Sequence, residues 1–274
     1  YRKSSRKELL INDDDIVIAY VGRLSFHAKS HHVPMYLALE NLSKKLKKNQ
    51  KIHLIQTGWF ANDFIENSFK DETDIICPSV NCIFLDGRNQ DLKFKTLASA
   101  DIFMSLSDNI QETFGLTPLE AMASSIPVIV SDWNGYRSTV RDGEDGFLIP
   151  SYSLGNGFGE ELMFQYTSGY INYDNYIGNI VHKVAVDIKI CIDKLTELIE
   201  NPDLRNNLGK NGKKRANDFF SWNVILNHYE DLYSELDDIR VKEFSTYRNI
   251  SVKSLPSDKL DPFYLFDDYP TEII

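Results

Sequence analysis

Through most of this chain short apolar runs alternate with longer amphipathic stretches, and few architectures besides repeated βαβ units accept that alternation. Residues 16–21, 52–56, 82–85, 102–105, 127–130 and 146–149 read as strands, rich in Ile, Val and Leu. Residues 34–48, 60–70, 91–99 and 118–124, with a short piece around 136–140, read as the intervening helices. The expected fold is α/β, a mainly parallel sheet covered on both faces by helices and joined by right-handed crossovers. In such sheets a ligand lies beyond the carboxyl ends of the strands. The loops expected to build a site are therefore 22–32, Gly58, Gly87 and 108–115.

With 274 residues, 42% of them hydrophobic, the chain can bury a substantial core and suits one large α/β domain with appendages. No apolar run approaches the roughly 18 to 20 residues that span a bilayer, and no signal-peptide core follows the basic start. A soluble, cytoplasmic protein is expected, and nothing in the chain indicates a membrane surface as partner. Cys77, Cys82 and Cys191 lack Cys-x-x-Cys spacing and a companion histidine cluster, so three ordinary thiols are expected. The net charge of −10 argues against nucleic acid as the main partner, because affinity for a phosphate backbone rests on accumulated Lys and Arg. A small phosphate ligand needs only local positive charge.

The stretch Glu112-Thr-Phe-Gly-Leu-Thr-Pro-Leu-Glu120 carries the chemistry. It sets two carboxylates eight positions apart across the point where a loop should become a helix, so both can face one ligand. Gly115 lets backbone approach closely, and Pro118 suits a first helical turn because its φ is already set and it has no N–H to leave unsatisfied. Free N–H groups at such a helix start, with the positive end of the dipole behind them, suit a phosphate. Flanking carboxylates accept hydrogen bonds from sugar hydroxyls. The pattern describes a pocket for an anionic, hydroxyl-rich molecule.

Other motifs accompany it in order: Gly22-Arg23-Leu24 followed by Lys29, Ala100-Asp101-Ile102, Pro127-Val-Ile-Val-Ser131, Asp142-Gly-Glu-Asp-Gly-Phe-Leu-Ile-Pro150 and Phe220-Ser-Trp222. With them the chain resembles, over about residues 7–233, the retaining GT-B-fold glycosyltransferases of group 1, or family 4, which carry a Glu-x7-Glu signature. The resemblance implies the Rossmann-like C-terminal half of a GT-B enzyme: an inter-domain linker at 1–14, a nucleotide-sugar (donor) binding domain at 15–236 and a tail or arm at 237–274. The beginning of the chain is similar to the family's linker, so an N-terminal, acceptor-binding domain of the same protein is an expected partner. The implied reaction passes a hexose-type sugar from a nucleoside diphosphate to an acceptor hydroxyl of a glycan, lipid or other compound. Anomeric configuration is retained, and no cofactor or obligate metal takes part.

The resemblance also implies roles. Arg23, Lys29 and Glu112 match catalytic positions, the two cations on the donor's diphosphate and Glu112 near its sugar. Gly22, Gly58, Arg88, Thr113, Phe114, Gly115, Leu116 and Glu120 match substrate-binding positions, with Glu120 on the ribose hydroxyls and the N–H groups of Phe114, Gly115 and Leu116 as a phosphate nest. Each has a plainer reading. Arg23 and Lys29 are otherwise solvated loop cations; Glu120 completes a Thr117-x-x-Glu120 capping box; Gly58 is a turn glycine; Arg88 either stacks on a base or stands exposed. His27, His31 and His32 lack acids or cysteines at ligand spacing, so loop polarity explains them better than a metal.

Residues 151–180, rich in Gly, Tyr, Asn and Ser, read as an inserted loop whose aromatics either pack it down or shape an acceptor site, with packing favoured. Helical periodicity resumes at 184–200, after Asn201-Pro202, and at 222–236. The tail at 237–274 mixes acids, aromatics and three prolines, and reads either as an arm on another surface or as disorder. Two rivals share the pocket: a non-catalytic nucleotide-sugar-binding or assembly module, and a sugar-nucleotide epimerase. A dinucleotide-dependent dehydrogenase fits least, since no Gly-x-Gly-x-x-Gly follows the first strand.

Overall fold

The computed structural model describes residues 1–46, 50–243 and 261–274. Its centre is a sheet of β1 (Ile16–Val21), β2 (Ile52–Gly58), β3 (Asn81–Asp86), β4 (Ile102–Ser105), β5 (Val128–Ser131) and β6 (Gly146–Ile149). The order is β3-β2-β1-β4-β5-β6 and every neighbouring pair is parallel. This is the α/β, Rossmann-like arrangement expected from the alternating pattern. Strands buried on both faces read as unbroken apolar runs, as β1 does, with all six residues buried. On β1, Ile16, Ile18 and Tyr20 join one core and Val17, Ala19 and Val21 the other, as the two-residue strand period requires.

The first core meets α2 (Val33–Ser43), α3 (Asp63–Ile76) and α9 (Ile188–Glu200) through residues such as Leu39, Phe69 and Leu195. The second meets α4 (Gln90–Ser99), α5 (Leu116–Ala123) and α6 (Asn134–Thr139) through Leu97, Met122 and Tyr136. Each such Leu, Phe or Met side chain contributes about 1.5–3 kcal/mol through burial. α3 starts three residues later than the periodicity suggests because the Asn62 side chain accepts the Ile65 N–H and sets the cap. α2 ends at Ser43, short of the end expected at 48, and residues 47–49 lie outside the described residues.

Three segments differ from expectation. The linker at 1–14 contains a helix, α1 (Arg2–Glu8), and Arg6 is buried at 1% exposure. Its guanidinium donates to the carbonyls of Asn12, Asp13, Asp15 and Ser99 and to Asp101 Oδ2 at 2.6 Å, so the buried charge is fully partnered. The inserted loop at 151–180 holds β7 (Ser151–Ser153), α7 (Glu160–Thr167) and most of α8 (Tyr173–Val181). α8 buries Tyr176, Ile177, Ile180 and Val181, so this segment packs onto the domain.

The third is the tail. After α10 (Pro202–Phe220), α11 (Trp222–Glu243) runs past the expected end near 236, and residues 244–260 lie outside the described residues. Residues 261–274 return to this domain through α12 (Pro262–Leu265) and β9 (Glu272–Ile273). β9 pairs in parallel with β7, which also pairs with β8 (Ala185–Val186), and Phe263 and Tyr269 are buried. Asp261 joins tail to insertion by accepting the N–H groups of Gly157 and Phe263.

Candidate functional site

The strand order places a crevice between β1 and β4. From β1 the chain crosses to β2, and from β4 it crosses the other way to β5, so the loops leaving their carboxyl ends diverge. Those loops carry Arg23 and Lys29 on one side and Glu112 on the other. Hydrogen bonds fasten them together. Ser30 Oγ donates to the Leu106 carbonyl at 2.8 Å, Ser107 Oγ to Lys29 O at 3.1 Å and Asn109 Nδ2 to His27 O at 2.7 Å. The His31 N–H donates to both oxygens of Asp108 at 3.2 and 3.3 Å.

Glu112 is buried, and its Oε2 accepts from Lys29 Nζ and from the Tyr136 hydroxyl, the latter at 3.1 Å. The Tyr136 hydroxyl also lies 2.8 Å from Ser105 Oγ. Burial, then the nearby Glu112 charge, pushes the Tyr136 phenol well up, so it stays a neutral donor. Tyr20 is pushed up for the same two reasons, burial first. Arg23 curls over its own loop, donating to Ala28 O at 2.6 Å and Gln111 Oε1 at 3.2 Å. The three residues expected to be catalytic thus share one crevice.

Between the two signature glutamates the backbone turns sharply. α5 begins at Leu116, two residues ahead of the expected start, with Gly115 as N-cap at φ +85°. A Cβ on Gly115 would stand 2.4 Å from the Tyr136 ring, so only glycine fits there. This removes the capping-box reading of Glu120, since Thr117 already lies inside the helix. Among the described residues the N–H groups of Phe114, Gly115 and Leu116 have no acceptor, as an anion-binding helix start requires. Thr113, Phe114 and Leu116 are exposed. Glu120 Oε1 accepts from Lys93 Nζ of α4 at 2.5 Å.

The remaining expected positions separate into near and far. Gly22 lies beside the Lys29 side chain. Gly58 belongs to a backbone contact: a Cβ there would stand 2.0 Å from the Gly22 carbonyl, and the Gly87 N–H donates to Gly58 O at 2.7 Å. Its glycine identity follows from neighbouring chain, without any ligand. Arg88 is turned onto Asp86, at 2.8 Å between Nη2 and Oδ2, and rims a 260 Å³ cavity with Gly58, Trp59 and Phe84. The histidines pack: His32 stacks on Phe69 at 3.9 Å, its Nε2 is 2.6 Å from Glu72 Oε2, and burial pushes both His31 and His32 down to about 4. Larger cavities of about 560 and 870 Å³ lie around Arg2, at the amino ends of the strands and beside α1 and α4, away from the crevice. Another of about 870 Å³ runs from Phe114, Leu116 and Glu120 to Trp222 and Tyr229.

Three residues of the crevice escaped the sequence reading. Asp108 lies in a site loop where the sequence gives it no role, yet it is buried, and burial pushes it up to about 7 against the His31 N–H that favours its charge. Tyr136 and Lys93, the partners of the two glutamates, lie 24 and 27 positions from them. Lys93 alone leaves a local sign. A cation in the N-terminal part of a helix opposes the dipole, so its position asks for an anionic partner.

The family described as Glycosyl transferases group 1 matches residues 2–156, more than half of the chain. The chain is similar to the capsular polysaccharide biosynthesis glycosyltransferase CapM of Staphylococcus aureus, 24% identical over 224 residues, covering 81% of this chain and 47% of CapM. Among solved structures it resembles HepE from Anabaena in complex with UDP and glucose: TM-score 0.57, 16% identity, 85% of this chain and 51% of HepE. It also resembles the C-terminal domain of the group 1 protein LpcC from Francisella tularensis, with TM-score 0.55 and 17% identity, covering 81% of this chain and 94% of that domain. These two likenesses are of fold. The chain spans about half the length of the curated relatives it matches.

Proposed function

Since this chain belongs to the group 1 glycosyltransferases, we propose that it is the donor-binding part of an enzyme that moves a sugar from a nucleoside diphosphate to an acceptor hydroxyl with retention of configuration. One observation carries the reading: Lys29 and Glu112 meet across the β1/β4 crevice, beside a glycine-opened helix start whose N–H groups have no acceptor among the described residues. A diphosphate suits that arrangement. Arg23 supplies a planar fork and Lys29 a mobile point charge, each charge-assisted bond contributing about 1.5–3 kcal/mol. Fixed cations and dipoles of this kind stabilise the leaving diphosphate without an obligate metal. Glu112 holds the sugar, Glu120 holds the ribose, and the Arg88 rim of the small cavity receives the base. HepE is described with UDP and glucose, which makes a uridine nucleotide the first donor to try. The acceptor, and a second wall to the cleft, come from an N-terminal domain of the same protein.

Titration calorimetry with UDP- and GDP-sugars tests this. Binding is expected, with Arg23→Ala, Lys29→Ala and Glu120→Gln each about tenfold weaker or more. Unchanged affinity in all three variants would falsify the site.

A further inference from the structure

Glu120 holds one cation and one idle oxygen. Its Oε1 accepts from Lys93 at 2.5 Å, while its Oε2 is buried with no hydrogen-bond partner among the described residues. The side chain as a whole is 40% exposed, so the carboxylate stands at the surface with that one oxygen turned inward. Lys93 is the other half of the pair. Only 18% of its side chain is exposed, and lysine is rarely so covered without a partner. The helix it sits on does not favour it there either, because a cation so near the N-terminus of α4 opposes the dipole. Its long stem instead spans from α4 to α5 and ends on the signature carboxylate.

We propose that Lys93 is a positioning residue for the donor's ribose, acting through Glu120. By holding Oε1 it fixes the orientation of a carboxylate whose side chain is 40% exposed, with Oε2 turned inward, so that a ribose hydroxyl arriving on the open side meets an acceptor already set. A carboxylate without that anchor rotates freely about its last bond and loses order when the sugar is bound. The inference rests on the proposed placement of ribose at Glu120. A plain tie between α4 and α5 would strengthen the fold and leave ligand discrimination alone, which separates the two roles.

The experiment measures affinity of the whole chain for UDP and GDP and for the 2′,3′-dideoxy form of each, in wild type, Lys93→Met and Lys93→Arg. The wild type should prefer the ribose forms by about tenfold or more. In Lys93→Met that preference should collapse to within about twofold, while affinity for the dideoxy forms stays within about twofold of wild type. Lys93→Arg, which keeps a cation within reach, should retain part of it. An undiminished ribose preference in Lys93→Met, at any overall affinity, overturns the role of Lys93 while leaving ribose at Glu120 intact. A wild type with no ribose preference overturns the ribose placement, and the role of Lys93 with it.

Discussion

Replacing Asp108 by asparagine isolates one titration in the crevice. The carboxyl is buried and pushed up to about 7 from 3.8, with desolvation the leading cause. Between those values the folded protein holds a proton that the unfolded chain has released. Stability therefore falls as pH rises, by about 1.4 kcal/mol per pH unit while the difference lasts. From pH 5 to pH 7 this amounts to about 2–3 kcal/mol, and above 7 the loss levels off because both states are ionised. Asparagine has no proton to lose and keeps an oxygen for the His31 N–H. His31 and His32, pushed down to about 4 by burial, act in the opposite sense. The unfolded chain binds their protons first, so they add stability as pH rises from about 4 to 6.5. They are present in both proteins and cancel in the difference. Urea unfolding followed by tryptophan fluorescence at pH 5, 6, 7 and 8 gives that difference directly. Asp108→Asn should gain about 2–3 kcal/mol on the wild type across the range, and a difference independent of pH would refute the buried-proton argument.

Gly115→Ala should destabilise the fold by about 2–4 kcal/mol, combining a left-handed backbone with overlap on the Tyr136 ring, and denaturant midpoints would measure it. A wild-type midpoint would mean the turn before α5 relaxes without difficulty. Removing residues 261–274 uncovers the Trp133 ring, which meets Tyr269 at 5.5 Å, and breaks the bond from Arg137 to Asp268 O. Losing Phe263 and Tyr269 from the core costs at least about 3 kcal/mol, so the thermal midpoint should drop by on the order of 10 °C in scanning calorimetry. No drop would show that the segment adds little.

The main sheet was legible because its strands are buried on both faces and so read as apolar runs; β1, β4 and β6 begin and end where the pattern places them. Edge and turn chemistry blurred the rest, as at β3, whose end residues Asn81 and Asp86 are exposed and polar. α8 was hidden by composition: its Gly, Tyr and Asn suggest a loop, although Tyr176, Ile177, Ile180 and Val181 already lie on one helical face. β7, β8 and β9 have two or three residues each, too few for a period to show. Nothing local marked Arg6 as buried, because its partners are carbonyls of a turn and of a distant helix end and the carboxylate of Asp101, 95 positions away.

The signature glutamates and Lys29 could be found from the sequence, but the pairing of Lys29 with Glu112 and of Lys93 with Glu120 could not, because each cation reaches its carboxylate from another loop or helix. Those counter-charges alter the electrostatics of the proposed reaction. A donor diphosphate that draws Lys29 to its phosphates takes away the cation on Glu112, a carboxylate only 7% exposed, and leaves it the neutral Tyr136 hydroxyl. A buried carboxylate stripped of its cation is unfavourable until something replaces it. A sugar hydroxyl does so in part. Positive charge on the sugar, as the bond to the diphosphate lengthens, does so more fully. On this reading the exchange at Lys29 makes Glu112 interact most strongly when the sugar is most cationic, and only an interaction stronger there than in the bound substrate accelerates the chemical step.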